Sequence, residues 1–455
     1  MLSNSSKTKQ QNLFYSPLSD MLDMNDPLIA LSNAIDWEIF ENEFSQFYSK
    51  DGSPAKPIRL MVGLLILKQL ENLSDESIVI QWKRNPYYQY FCGYNEMQLC
   101  EPCHSTQLVK FRQRIGKEGM ELIFKVSVQL HGNKAEEKEV LIDTTVQEKN
   151  ITYPTDGKLA IKMIHHLHKI GKKEQLNLRR TFVKEIKEHR INLRFFKHPK
   201  KIKKARSSIK RLRTIVGILI RDISRNLKQD KLSNYTNTFD LFDKVRNQQI
   251  KDSNKVLSLH ESHVYAITKG KDHKKYEYGT KASIVATKDS GVIVGVASHS
   301  KNEHDSKTLE AALISANKTR TTAIKEVICD RGYRGIKEVL GTIISIPGTT
   351  LKKDTEYQKQ QKRDKFKRRA AIEPIIGHLK SDFRLARNYL KGFIGDQINL
   401  LLAATAWNLK KWMNIYFFAI ISGEMKLLLE SIKQIKLYNQ IFLQLIVIKL
   451  IFTHP

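Results

Sequence analysis

The sequence predicts an α/β chain in three parts. An all-helical N-terminal region covers about 28–135, a strand-and-helix region covers about 136–412, and a basic helical insertion at about 157–255 interrupts the second. Three observations lead there. Apolar residues before 135 recur at helical spacing, as in Ile58, Met61, Val62, Leu65, Ile66 and Leu70. Short β-branched runs follow, the first of them Glu139-Val-Leu-Ile-Asp143-Thr-Thr-Val. Between the first and second runs lies a stretch, 171–228, with 20 Lys and Arg against 4 acidic residues.

Residues 1–27 carry little apolar pattern and read as a disordered lead. After the first helix, Ser74 is a suitable N-cap for a second from Asp75 to about Lys83. A third begins near Ser105, with Leu108, Phe111 and Ile115 on one side. Lys110, Arg112, Arg114 and Lys117 lie mostly on the other. Short helices with a basic face suggest a helix-turn-helix-like DNA reader, and the plainer alternative is a bundle with a solvated basic face. In the insertion, Leu212, Ile215, Ile218, Leu219 and Ile223 keep helical spacing, so it is amphipathic and not a loose tail. Strands are expected at Tyr276–Thr287 and Gly291–His299, joined by the turn Lys288-Asp289-Ser290-Gly291. A helix at about Ser306–Asn317, a strand Ala323–Asp330 and a further strand within Gly341–Pro347 come next. Helices then cover Ala371–Leu390 and about Asp396–Trp412, and an apolar extension, 413–455, ends the chain.

Composition bounds the function. The 455 residues hold 77 Lys and Arg against 47 Asp and Glu, a formal net charge of +30. With 41% hydrophobic and 27% charged residues the chain is globular in type, which excludes a wholly disordered, collagenous or rod-like protein. The excess positive charge favours a polyanionic partner. No apolar run has signal-peptide length, no stretch reaches about 18 uninterrupted apolar residues, and four cysteines are too few for a disulfide framework. The expectation is a cytoplasmic, nucleoid-associated protein without a membrane partner.

Three acidic residues stand at element ends or faces: Asp143, Asp330 and Glu373. Phosphodiester chemistry needs no protein nucleophile. It needs a clamp for two divalent cations roughly 4 Å apart, one serving the attacking oxygen and one the leaving oxygen. Hard Mg²⁺ takes carboxylate oxygen, so two Asp and one Glu form a suitable set for two ions, with Mn²⁺ an acceptable substitute. Phe366, Arg369, Glu373 and Lys380 fall at offsets that return to one helical face, though Pro374 calls for a helix start near Ile372.

Several blocks together carry a resemblance. These are Leu60-Met-Val-Gly-Leu-Leu-Ile-Leu through Tyr90-Phe-Cys-Gly93, Phe111-Arg-Gln-Arg-Ile-Gly116, Val140-Leu-Ile-Asp-Thr-Thr-Val146, Cys329-Asp-Arg-Gly-Tyr-Arg-Gly335 and Arg369-Ala-Ala-Ile-Glu-Pro-Ile-Ile-Gly-His-Leu-Lys380. Over about 25–412 the chain resembles bacterial insertion-sequence DDE transposases of the IS-five group. In the last block that family carries Tyr, Arg, Glu and Lys, and here the Tyr position is Phe366. The resemblance implies an RNase H-like catalytic fold interrupted by an insertion, with Asp143, Asp330 and Glu373 as the metal-binding set. It also implies a 3′-hydroxyl product that attacks target DNA. Arg331 and Arg334 beside the second Asp, Arg369 and Lys380 beside Glu373, and Arg112 and Arg114 in the helical region are the expected DNA contacts.

Other features have plainer readings. Cys100-Glu-Pro-Cys103-His104 fits a haem-attachment pattern, but such proteins mature outside the cytosol. Cys92, Cys100, Cys103 and His104 are spaced unusually for zinc, so buried or idle thiols are expected. His165, His166 and His168 suit a basic helix face. Lys281 and the stretch 269–276 are phosphate contacts or a solvated basic loop. The whole predicts a DNA transposase acting on double-stranded DNA, at transposon ends and at target, as a homodimer or higher assembly. The competing readings are a decayed transposase kept as a DNA-binding repressor, and a plain nuclease without strand transfer.

Overall fold

A computed structural model describes residues 16–452, apart from 50–53, 250, 253, 272–273, 347, 349–350 and 352, and apart from the side chains of 269–274 and 424–452. Its centre is a mixed sheet. The strands are β1 (Glu139–Glu148), β2 (Tyr265–Lys271), β3 (Lys274–Thr287), β4 (Ile293–His299), β5 (Glu326–Ile328), β6 (Glu338–Val339) and β7 (Thr342–Ser345). The order is β2-β3-β1-β5-β7-β6, with β4 paired to the far side of β3. β1 runs antiparallel to β3 and parallel to β5, and β5 runs parallel to β7. Val140, Leu141 and Ile142 are each about 1% exposed or less, so β1 is covered on both faces, which is why its run is apolar rather than alternating. At Gly279 a side chain would drive into the carbonyl of Gln147, so only glycine lets β3 cross β1 there.

The N-terminal helices follow the predicted punctuation. Ile58–Leu70 is buried on nearly every side. Ser74 accepts from the Ser77 amide at 3.0 Å and caps Asp75–Arg84. The helix Ser105–Gln129 bends at Gly116, whose φ of 62° and ψ of −157° suit glycine. The expected disordered lead is shorter than the reading gave. Leu18 is fully buried and its amide donates to the Asn95 carbonyl at 2.7 Å, because Leu18–Met21 supplies an apolar plug that the periodicity of so short a helix does not reveal. Residues 1–15 lie outside the described residues.

One apolar cluster runs from Leu28 to Leu409 and joins the N-terminal helices to the sheet. The long helix Gly392–Phe452 makes the join, with Ile398, Leu401, Leu402 and Leu409 buried. Buried polar bonds reinforce it: the His131 ring bonds the Asn408 carbonyl at 3.0 Å, and Gln69 donates to the Phe383 carbonyl at 2.6 Å. The change near residue 135 is therefore a change of secondary structure and not a break in the core.

Between β1 and β2 lie the helices Asp156–Lys173, Val183–Asn192, Ile202–Asn226 and Thr236–Asn247, with a second apolar cluster of their own. Ile202–Asn226 turns Leu212, Ile215, Val216, Leu219 and Ile223 inward and its basic residues outward. Chain segments on either side of this unit are tied at its base. Lys149 pairs with Asp396 at 2.5 Å and Glu261 at 3.4 Å, and His263 bonds Asp396 at 2.9 Å. The stretch read as a basic loop at 269–276 is instead the β2–β3 hairpin, with residues 272–273 outside the described residues. The expected strand Ala323–Asp330 contracts to three residues, because β5 meets its neighbours only over Glu326–Ile328.

Candidate active site

Register assembles the site. Leu141 of β1 stands opposite Ile328 of β5 in a parallel pair. Two residues on, Asp143 in β1 and Asp330 just past β5 reach the same level. Asp330 keeps an extended conformation (φ −82°, ψ −176°), so the alternation of the strand carries to it. Leu141 and Ile328 point to one face, where Ile372 packs on both. These three are each no more than about 1% exposed, and burial of such side chains contributes about 1.5–3 kcal/mol apiece. Ile372 opens the helix Ile372–Ser381, so the helix carrying Glu373 is pinned to the face that holds both aspartates.

The start of that helix resolves Pro374. Glu356–Ala370 ends before Ala371, and Pro374 sits in the first turn of the next helix, where its missing N–H costs nothing. Arg369 and Glu373 lie across the junction and form an ion pair at 2.5 Å. Glu373 is 60% exposed on its side chain and Arg369 21%.

Local bonds orient the aspartates. An Asp143 carboxylate oxygen accepts from the Thr144 amide at 2.7 Å, and Asp330 accepts from the Gly332 amide at 2.8 Å, capping the turn Arg331–Tyr333. The Cys329 thiol, next to Asp330 in the chain, is pushed up to about 12, by burial first and then by the charges of Asp330 and Asp143, with Arg369 opposing. The Tyr333 phenol is raised by burial and by Asp305 and Asp143.

Asp305 was missed in the sequence. Its carboxylate accepts from the Thr144 hydroxyl and from Lys281 Nζ, both at 2.9 Å. A Cβ built on Gly332 would stand 3.0 Å from Asp330 Oδ1 and 3.1 Å from Asp305 Oδ2, so the Gly332 backbone is wedged between two carboxylates. The available signal was an Asp opening the helical turn Asp305–Thr308, six residues past the end of β4. Lys281 is only 9% exposed and spent on Asp305 and the Glu303 carbonyl, which takes it out of the phosphate role.

The donor set is all hard oxygen, as Mg²⁺ requires. Among the described residues no three His, Cys, Asp or Glu side chains are gathered closely enough to hold a metal ion. The two aspartates fit, and Glu373 is turned to Arg369.

The predicted DNA contacts divide. Arg331 and Arg334 are exposed on the turn beside Asp330, and Lys380 is half-buried two turns from Glu373 on the same side of its helix. The helix Glu356–Ala370 buries no residue and is strongly basic, and Phe366 on it is 56% exposed. Arg114 is exposed, stacks 4.4 Å over the Tyr48 ring, and lines a cavity of about 460 Å³ with Lys56 and Lys110. Arg112 corrects the sequence reading. It is 4% exposed and forks onto Asp75, with Lys68 completing the buried cluster at 2.8 Å. Alternate positions on a helix face different ways, and Arg112 points inward.

Two family models match this chain. Residues 16–114 match a transposase domain family (DUF772), and residues 252–409 match the transposase DDE domain. A relative from Rhizobium meliloti, an uncharacterized protein called ORF8 in the nfe locus, is 36% identical over 194 residues, which is 42% of this chain and 94% of the relative. The chain belongs to the DDE transposase family. No solved structure matches it. Family membership implies an RNase H-like fold, and the sheet of this transposase, antiparallel on one side of β1 and parallel on the other, has that form. The DDE match contains Asp330 and Glu373 but begins after Asp143, so the β1–β5 register is what connects Asp143 to this transposase's matched region.

Proposed function

We propose that this transposase binds the terminal inverted repeats of its element, cleaves a phosphodiester bond at each end and joins the freed 3′-hydroxyl to target DNA. Asp143, Asp330 and Glu373 are its proposed catalytic and metal-binding residues. The observation that carries this reading is the parallel β1–β5 register, with the Glu373 helix packed on the same face. Two Mg²⁺ bound there would activate the attacking oxygen and stabilise the leaving one. The protein's own share is positional. The Thr144 and Gly332 amides hold the two Asp carboxylates, and Glu373 joins them by exchanging Arg369 for the site. Arg369 is then released toward the scissile strand, beside Arg331, Arg334 and Lys380. Arg114, on the N-terminal helical region that we take as a DNA-binding domain, would hold the flanking duplex. Membership of the IS-five group, association with the nucleoid and a dimer or larger assembly that pairs two ends complete the reading.

The test is a joining assay with the full chain, Mg²⁺ and duplex taken from the DNA flanking its gene. Joined product is expected from wild type. Asp330→Asn should lose cleavage by about 10²-fold or more and bind the same duplex within a few-fold. Cleavage without joining identifies a plain nuclease, and binding without cleavage a repressor. Full cleavage by Asp330→Asn removes that residue from the site.

A further inference from the structure

The helix Ile202–Asn226 carries more than an outward charge. Arg206, Lys210, Arg213, Gly217 and Arg221 follow one another at intervals of three and four residues, so they form one stripe down the helix. The stripe lies well round the helix from the buried residues Leu212, Ile215 and Leu219. It spans about 22 Å at 1.5 Å per residue. Arg246, from the neighbouring helix Thr236–Asn247, closes the other wall of a groove of about 360 Å³.

Among the described residues no acidic residue lines the groove. Among the described residues Arg206, Lys210 and Arg221 carry no ion pair, and all three are exposed. Arg213 and Arg246 are fixed by Asp156 at 2.8 Å and Asp243 at 2.9 Å, which hold the walls in place. Gly217 is the stripe position without a side chain. A Cβ there would collide with the Arg246 guanidinium, so the glycine is what lets Arg246 lie close against this helix. Among the described residues the Arg246 Nε, buried there, has no acceptor, which leaves the guanidinium short of a partner.

We propose that this groove is a binding site for the sugar-phosphate backbone of duplex DNA, separate from the DDE site. A stripe of about 22 Å is long enough to meet several successive phosphates of one strand. Guanidinium groups on two walls suit phosphate oxygens. Which duplex occupies it, end or target, rests on the transposase reading above.

The experiment measures affinity of the full chain for duplex DNA against salt. Arg206→Gln, Lys210→Gln and Arg221→Gln are combined, since each is exposed and structurally unpaired. Loss of three phosphate contacts should flatten the slope of log K against log salt by about 2.7, equally on duplexes of unrelated sequence. The control combines Lys172→Gln, Lys184→Gln and Lys187→Gln, exposed lysines of the same helical unit that do not line the groove and whose loss lowers net charge equally. Gly217→Ala, which displaces Arg246, should weaken binding in the same direction. A groove variant no weaker than the control overturns the proposal, as does stronger competition by RNA than by duplex DNA. Should wild type fail to cleave or join while the groove variant still loses affinity, the groove stands and the catalytic reading falls. Should wild type join DNA with no groove effect, only the groove falls.

Discussion

Replacing Arg112 and Arg114 one at a time separates two roles that their closeness on one helix conceals. Arg112 is 4% exposed and bonds Asp75 through both guanidinium ends, with Lys68 on the same carboxylate. Burial pushes the Asp75 carboxyl up, but the hydrogen bonds and charges of Arg112 and Lys68 outweigh this and hold it at about 2. Removing one member of a buried pair costs about 3–5 kcal/mol, because the other charge stays buried. Lys68 remains in Arg112→Gln, so the lower end, about 3 kcal/mol, is expected. Arg114 is exposed and its stacking on Tyr48 is worth about 0.5–1 kcal/mol. Denaturant unfolding followed by fluorescence reads the difference, since Trp37 and Trp82 are buried in the same cluster. DNA affinity against salt reads the other role. Arg112→Gln should lower the unfolding midpoint and leave the salt slope unchanged. Arg114→Gln should leave stability nearly intact and flatten the slope by about 0.9. A stable Arg112→Gln that binds DNA with a reduced slope would refute the buried assignment.

Two further outcomes follow from the geometry. Burial lowers His131 to about 4, against an ordinary value near 6.5, and its ring donates to the Asn408 carbonyl where the N-terminal helices meet the final helix. The unfolded chain takes up this proton near pH 6.5 and the folded chain only near 4, so the contribution is complete above 6.5 and is lost as pH falls through that window, on the order of 3 kcal/mol. His131→Gln keeps a donor without the charge, and its stability between pH 7 and 4 should fall less steeply than that of wild type; an identical slope would exclude His131. Gly332→Ala places a methyl against both Asp330 and Asp305, and cleavage should drop roughly 10–100-fold with end binding unchanged, whereas an undiminished rate would show that the crowding is relieved at no cost.

Local signals carried far in this chain. The cap at Ser74, the turn before Gly291 and the amphipathic face of Ile202–Asn226 depend on residues within a few positions of each other, and a linear reading recovers such patterns. The three candidate acids were legible as carboxylates at element ends. Other features depend on partners far away in sequence. Leu18 is ordered because it docks beside Asn95, Arg112 is consumed by Asp75, and Lys281 is consumed by Asp305. A basic residue looks the same in sequence whether its charge meets solvent, phosphate or a buried carboxylate.

Composition and periodicity settled the helical start, the basic helical unit and the mixed strand-and-helix region, because hydrophobic burial imposes a spacing that each segment must obey on its own. Tertiary structure decided the rest: that Asp143 on β1 and Asp330 just past the end of the parallel strand β5 stand level, that Asp305 lies against the Gly332 turn, and that one long helix joins the N-terminal helices to the sheet in a single core. Strand register and ion-pair choice are set by which surfaces meet after the chain collapses, and no spacing along the chain encodes that meeting.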